Sequence, residues 1–207
     1  MRSDVDSERN TMMLDLSLLG HASVHGEMHA ILTRVAPARL RVRPHAEMNS
    51  LVWSIWHAIR SEDACISRFV VPQVQVLTQG QWNARLGVSF TGDGFGMSSD
   101  DVTILSQTID IAALAAYGQA VAAQSAQCAQ YVTAWDLTTP FTPAEVESVC
   151  ATYADLVGDD VAGTVAYMGS MSRGAYLIKH LYGHTQYHLG EMSAIDGQVP
   201  GERYYSW

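Results

Sequence analysis

The stretch His184-Thr185-Gln186-Tyr187-His188-Leu189-Gly190-Glu191, set within a longer run from Ala175 to Ile195, decides the fold. Two histidines four apart lie one above the other on an α-helix, their Cβ atoms roughly 5–6 Å apart. At about 100° per residue, Leu177, Leu181, Met192 and Ile195 form one apolar stripe, and His184 and His188 stand in its middle. Imidazoles facing a core need partners there, because a buried polar group left unpaired costs on the order of 1–3 kcal/mol. A metal ion satisfies both rings at once, with bonds to nitrogen of about 2.0–2.1 Å. Core histidines satisfied by carbonyls or water are the plainer alternative. Either way the run is a helix with its histidines turned inward.

Working outward, the other segments read as helices that enclose this one. A first helix is predicted from Asn10 or Thr11 to Val35, stopping short of Pro37. Leu14, Leu18, His21, His25, Met28 and Leu32 share one face of it. After a connector from Ala36 to Met48, a second helix starts at Asn49 or Ser50, either of which can cap it, and ends before Pro72. His57 sits at the edge of its apolar arc of Val52, Ile55, Trp56 and Ile59, placed to reach sideways between helices. Residues 72–98 show no sustained period; connections longer than about 12–15 residues are uncommon unless they cover a site or cross a bundle. Within them Gly92-Asp93-Gly94-Phe95-Gly96 lacks the strand, the lysine and the spacing of a phosphate loop, so its glycines read as turns.

A third helix begins after Ser98 or Ser99 and runs through the alanine-rich Ile111 to Trp135, where small side chains permit close contacts. Thr142-Pro143-Ala144-Glu145 is a capping box with proline at the first helical position, opening a shorter helix to about Val157. A Gly-rich passage from Gly158 to Gly174 leads to the final helix, which Gly197 is expected to close. The fold class is all-α: one domain over residues 1–207, most simply a four-helix bundle with a long crossover between helices two and three and a short extra helix before the last.

Composition limits the function. A net charge of −9 repels phosphate backbones, and only Arg39-Leu40-Arg41-Val42-Arg43 offsets it locally, so nucleic acid is disfavoured as a partner. No apolar run reaches the roughly 18 residues of a membrane span, and the polar start lacks a secretory segment. Cys65, Cys128 and Cys150 are widely spaced, odd in number and without a basic neighbour. They read as core fillers in a reducing, cytoplasmic setting. Ser170 and Ser172 lie in no nucleophile elbow.

The ordered set of Asn49-Ser50, Trp56-His57-Ala58-Ile59-Arg60-Ser61-Glu62-Asp63, Gln81-Trp82-Asn83-Ala84-Arg85-Leu86-Gly87 and His184-x3-His188-x-Gly190-Glu191 resembles the DinB-like family, and the likeness spans nearly the whole chain. That superfamily includes thiol-dependent S-transferases and mycothiol-dependent maleylpyruvate isomerases. The resemblance implies an up-down-down-up bundle, often dimeric, that binds a divalent metal through His57, His184 and His188. It departs from the family after the last histidine pair, where Ser193-Ala194-Ile195-Asp196 replaces an arginine many members carry.

Three neutral imidazoles leave a divalent ion its charge and an open position, the arrangement that activates a bound water or thiol. Zinc suits it; nickel, manganese or iron are alternatives. Because ligands must be deprotonated, metal is expected to leave below about pH 6. Glu191 shares the stripe and is placed to accept a hydrogen bond from an imidazole. His180 reads as a supporting residue, not a fourth ligand. On the first helix, His21 and His25, extended by His29, are either a second metal site or polar pocket residues; since the family gives that helix no ligands, pocket residues are the expectation, with Trp53 beside them. Trp53, Trp56 and Trp82 are read as core or lid. The function expected is a metal-dependent enzyme that turns a low-molecular-weight thiol or water on a small-molecule substrate. The alternative is a non-catalytic metal-binding protein for stress response or small-molecule binding.

Overall fold

The computed structural model describes residues 2–71, 73–132, 135–152 and 160–205, and among these the regular elements are all helical. No helix among them is long and apolar enough to cross a membrane. Helix α1 (Arg2–Arg34) starts well ahead of the expected Asn10. Nothing between Arg2 and Asn10 breaks a helix, and its polar residues carry no apolar period to announce one. Asn10 is not a cap; its side-chain amide donates to the Trp135 carbonyl instead. Leu14, His21, Met28 and Leu32 are buried on the predicted face, widened by Val24 and Ile31.

Helix α2 (Leu51–Phe69) is capped by Ser50, whose hydroxyl accepts from the Trp53 N–H at 3.1 Å, a bond worth about 1 kcal/mol. Its polar run Arg60-Ser61-Glu62-Asp63 is as inaccessible as its apolar arc. The crossover makes that possible. Asp63 accepts from the N–H groups of Val76 and Leu77 at 2.9 and 3.0 Å, from the Tyr117 hydroxyl at 2.6 Å and from Arg60 at 3.0 Å. Arg60 also donates to Gln75 Oε1 and to the Thr91 carbonyl. A buried ion pair is tolerable when its remaining hydrogen-bonding positions are filled in this way. These bonds strap residues 73–98 onto α2 and support two single helical turns there, Val76–Gln79 and Trp82–Leu86, where no regular structure was expected.

The predicted third helix is two, α3 (Ser99–Thr108) and α4 (Ile111–Ser125). Ile109 is extended, and Asp110 restarts the helix: its carboxylate accepts from the Ala113 N–H at 2.8 Å, while its own N–H donates to the Leu86 carbonyl. The alanine-rich α4 does pack closely; a Cβ at Gly118 would meet the Ile59 side chain at 2.9 Å. Past Ser125 the chain passes through a 3-10 turn, Ala126–Cys128, and one helical turn, Ala129–Val132, instead of continuing to Trp135.

Helix α5 (Pro143–Thr152) opens on the predicted capping box, with the Thr142 N–H donating to Glu145 at 2.7 Å and the Glu145 N–H to Thr142 Oγ1 at 3.3 Å. Its expected end near Val157 lies outside the described residues. Helix α6 (Val161–Gly169), capped by Asp160, occupies part of the expected Gly-rich passage. Ser172 caps α7 (Arg173–Ile178), which runs through a π-helical turn, Lys179–Gly183, into α8 (His184–Gln198). Gly197 lies inside α8, not beyond it. Val199, extended ahead of Pro200, ends the helix, because the residue before a proline is driven out of the α region.

Helix α1 packs on α4 and on the α7–π–α8 run, and α2 packs on α4 and α8, so α1 and α2 face each other across the interior. Two apolar clusters fill that interior. One holds Met28, Trp56, Ile59, Val121, Met192 and their neighbours; the other holds Leu14, Ile66, Phe141, Tyr176 and Leu181 among others. On α1, α2 and α8 the segments between the two clusters carry the polar residues His21, Glu62, His184 and His188. The arginine triplet of the connector is spent internally. Arg39 pairs with the fully buried Asp196 at 2.7 Å, Arg41 donates to the carbonyls of Ser106 and Ile109, and Arg43 to those of Met48 and Ser99.

Candidate metal centre

His57 comes from α2, His184 and His188 from α8, and one ring nitrogen of each lies within 4.8 Å of the others. The ring centroids of His57 stand 5.1 and 4.7 Å from those of His184 and His188, which are 4.5 Å from each other. The helical spacing of His184 and His188 and the sideways reach of His57 bring the three predicted ligands together.

What stands behind the rings sets their chemistry. His57 Nδ1 lies 2.6 Å from the Asp93 carbonyl, and His188 Nδ1 lies 2.6 Å from Glu191 Oε2. A carbonyl and a carboxylate can only accept, so both Nδ1 atoms carry protons and both Nε2 atoms present lone pairs. His188 Nε2 points at His184 Nε2 across 3.2 Å. Three imidazoles converging on one point, two of them held as Nδ1–H tautomers, fit a divalent ion with at least one open position. Electrostatics agree. Burial, then the neighbouring His188 and His57, push His184 down to about 4. Burial and His188 also lower His57, against the raising effect of Asp93. His184 therefore stays unprotonated, ready to ligate, well below the pH of about 6 expected from an unperturbed imidazole, and His57 is shifted in the same direction.

Asp93 holds His57 through its backbone, and is itself held by its side chain: Oδ2 accepts from the Ser61 hydroxyl at 3.0 Å and Oδ1 from the Phe95 N–H at 2.9 Å. Burial works against its charge, yet the Phe95 N–H, His57 and Ser61 outweigh that and its carboxyl is lowered. The Gly92–Gly96 turn thus positions His57. At Gly94, φ is +97°, and a Cβ would come within 2.8 Å of both Trp53 and Trp56. Trp53 stacks on His57 at 5.0 Å between centroids with the planes 8° apart. Trp53, expected in the pocket, is a wall of this site, whereas His21 and His25 are elsewhere.

Those two form a separate group with Glu62 of α2. His21 Nε2 and His25 Nε2 each lie 2.8 Å from a different Glu62 oxygen. Glu62 is 1% exposed. Burial opposes its charge, but His25 and His21 hold its carboxyl far below the usual range. Burial would likewise lower His25, yet Glu62 outweighs it and its pKa is raised. The donor atoms of this group also lie close enough together to hold a metal ion. His29, the outer rung of the ladder, is exposed.

His180 packs on Tyr176 with centroids 4.3 Å apart, and neither ring nitrogen finds a hydrogen-bond partner among the described residues. Burial and His184 push it down to about 3, so it is neutral. Cys65, Cys128 and Cys150 carry free thiols, and burial pushes Cys65 and Cys128 up to about 11, which suits core filling and not nucleophilic attack. Two residues of the sites were not found from the sequence. Asp93 acts through a carbonyl that any residue would supply, and Glu62 reads as the wet end of an amphipathic helix until the histidines of α1 meet it.

No curated protein matches the chain. The family model of the DinB superfamily matches residues 22–192, a span that holds His57, His184 and His188 as well as Glu62 and Asp93, and the chain belongs to that superfamily.

Proposed function

We propose that this protein is a metal-dependent enzyme, with a divalent ion on His57, His184 and His188, acting on a small-molecule substrate with a low-molecular-weight thiol or water as the attacking group. The observation that carries the reading is the tautomer control: two rings are fixed by acceptors behind them so that their Nε2 lone pairs aim at one shared point. Structural histidines have no need of that arrangement. When bound, the ion would supply Lewis acidity, lowering the pKa of a coordinated thiol or water at neutral pH. The protein's own groups do the rest. Trp53 walls one side of the site and limits water, Asp93 and Glu191 fix the tautomers of His57 and His188, and His180 offers a neutral imidazole one turn before His184. Zinc suits three nitrogens best; nickel, manganese or iron would add waters.

The packing of α1, α2, α4 and the α7–α8 run supports an up-down-down-up four-helix order. Met12, Leu16 and Leu19, 60–69% exposed on one face of α1, support a homodimer. Elemental analysis of the purified protein tests the ion, and a screen of mycothiol, bacillithiol and glutathione against small electrophiles, with and without chelator, tests the chemistry. Activity that survives chelation overturns the enzymatic reading. Metal without turnover in the whole screen favours a non-catalytic metal-binding role.

A further inference from the structure

We infer that His21, His25 and Glu62 form a second, independent divalent-metal site. The donor set is two histidines one turn apart on α1 and one carboxylate facing them from α2 across the interior. Two imidazoles with one carboxylate are a common protein environment for zinc and, with open positions, for iron(II).

Three observations carry it. First, Glu62 is buried, and among the described residues both of its side-chain hydrogen bonds come from imidazoles, with no lysine or arginine paired to it. Two neutral rings would leave a full negative charge in the interior, so the carboxylate needs either a protonated ring or a cation beside it. A divalent ion gives that carboxylate the counter-charge that burial demands. Second, the geometry is a collapsed coordination shell. Ligands on a tetrahedral ion with bonds of about 2.0–2.2 Å stand roughly 3.3–3.5 Å apart. The observed nitrogen–oxygen separations are 2.8 Å, each to a different oxygen of Glu62 and about half an ångström short of that spacing, and the donor atoms of all three residues lie within 4.8 Å of one another. Third, there is room. His25, though neither His21 nor Glu62, lines a mostly apolar cavity of about 270 Å³ walled by Met28, His29, Leu32, Ile59 and Gly118, which gives that ring space to shift as an ion enters.

Loading has a proton requirement. The Nε2 protons that now bridge to Glu62 must move to Nδ1 or leave to solvent, so uptake releases protons if His25 enters the reaction charged. The site does not depend on the first one: no ligand is shared, and the two sets meet α2 at His57 and Glu62.

The test is zinc stoichiometry on the full chain at neutral pH, with cobalt(II) absorption as a second readout. The wild type is expected to hold two equivalents. His57→Ala/His188→Ala, which dismantles only the first site, is expected to keep one; Glu62→Gln is expected to keep the other, with affinity for the lost equivalent reduced by at least about 100-fold. A wild type that binds a single equivalent, abolished by His57→Ala/His188→Ala and untouched by Glu62→Gln, overturns the proposal and leaves a hydrogen-bonded His–Glu–His triad only. A wild type that binds a single equivalent, abolished by Glu62→Gln and untouched by His57→Ala/His188→Ala, overturns the reading of the first site and leaves this one standing. Should Glu62→Gln fail to fold, the imidazole 15N signals of His21 and His25 in the His57→Ala/His188→Ala protein decide. Zinc must move their Nε2 resonances from the N–H to the metal-bound range, and unmoved signals overturn the site.

Discussion

Two histidine clusters lie in one helical interior, each built on a pair of imidazoles four residues apart, and they differ in what the rings face. In the His57–His184–His188 cluster the acceptors, Asp93 and Glu191, lie behind the rings and drive the lone pairs inward. In the His21–His25–Glu62 cluster the acceptor lies in front, so the N–H groups point inward and the carboxylate occupies the convergence point. The same spacing yields an open nest of lone pairs in one place and a closed charged triad in the other. Spacing brings rings together; the position of the nearest acceptor decides what they are prepared for.

The largest effect that separates the clusters should come from Glu62→Ala. It leaves the α1 imidazoles without their buried acceptor, and metal-free stability should fall by about 3–5 kcal/mol in chemical denaturation. His188→Ala, on the metal-free protein, should cost far less and instead abolish zinc retention. Equal losses from the two variants would erase the distinction drawn above.

Next in size is Gly94→Ala. With φ at +97° and a methyl pressed into Trp53 and Trp56, it should cost about 1–3 kcal/mol and loosen the Asp93 carbonyl from His57. Zinc affinity should fall about 10–100-fold, read by competition with a chromophoric chelator. Unchanged affinity would show that the glycine turn does not position the ligand.

The pH response should run in opposite directions. His184, depressed from 6.5 to about 4, refuses a proton that the unfolded chain accepts, so its cluster loses stability as pH falls from about 6.5 toward 4. His25, raised, contributes stability that is full below 6.5 and lost as pH rises through its folded value. Glu62, lowered, contributes in full above 4.5 and loses it only as pH falls through its folded value. Urea midpoints of metal-free protein at pH 5.5 and 7.5 should therefore show Glu62→Gln more damaging at the lower pH and His184→Ala less so. The smallest effect is Glu191→Gln, which keeps a weaker acceptor behind His188 and should reduce zinc affinity about tenfold in the same chelator competition.

The convergence of the three histidines was legible because His184 and His188 share an apolar stripe, where a buried imidazole needs a partner, and because the family resemblance added His57. The all-helical class and the Thr142 capping box were legible for the same local reason. Other features depend on contacts between distant segments. Glu62 is buried against His21 and His25 of α1, while its neighbours Asp63 and Arg60 are covered by the crossover they anchor. The interruption at Ile109 did carry a local sign, Asp110 ahead of an alanine run, but the Leu86 carbonyl that accepts its N–H lies in a segment without period. The identity of Asp93 was illegible in principle, since its backbone oxygen touches His57.

The π-helical turn from Lys179 to Gly183 has a consequence for how this site can change. It stores one surplus residue between a segment anchored by Ser172 and the segment bearing His184 and His188. Rewinding that turn to α-helical pitch at its present length would swing everything downstream by roughly a quarter turn, turning both imidazoles off the axis they share with His57, whereas deleting the surplus residue along with it would nearly keep their direction. The turn works as a phase setting: by unwinding over five residues it absorbs one codon's worth of length and keeps His184 and His188 converged on His57.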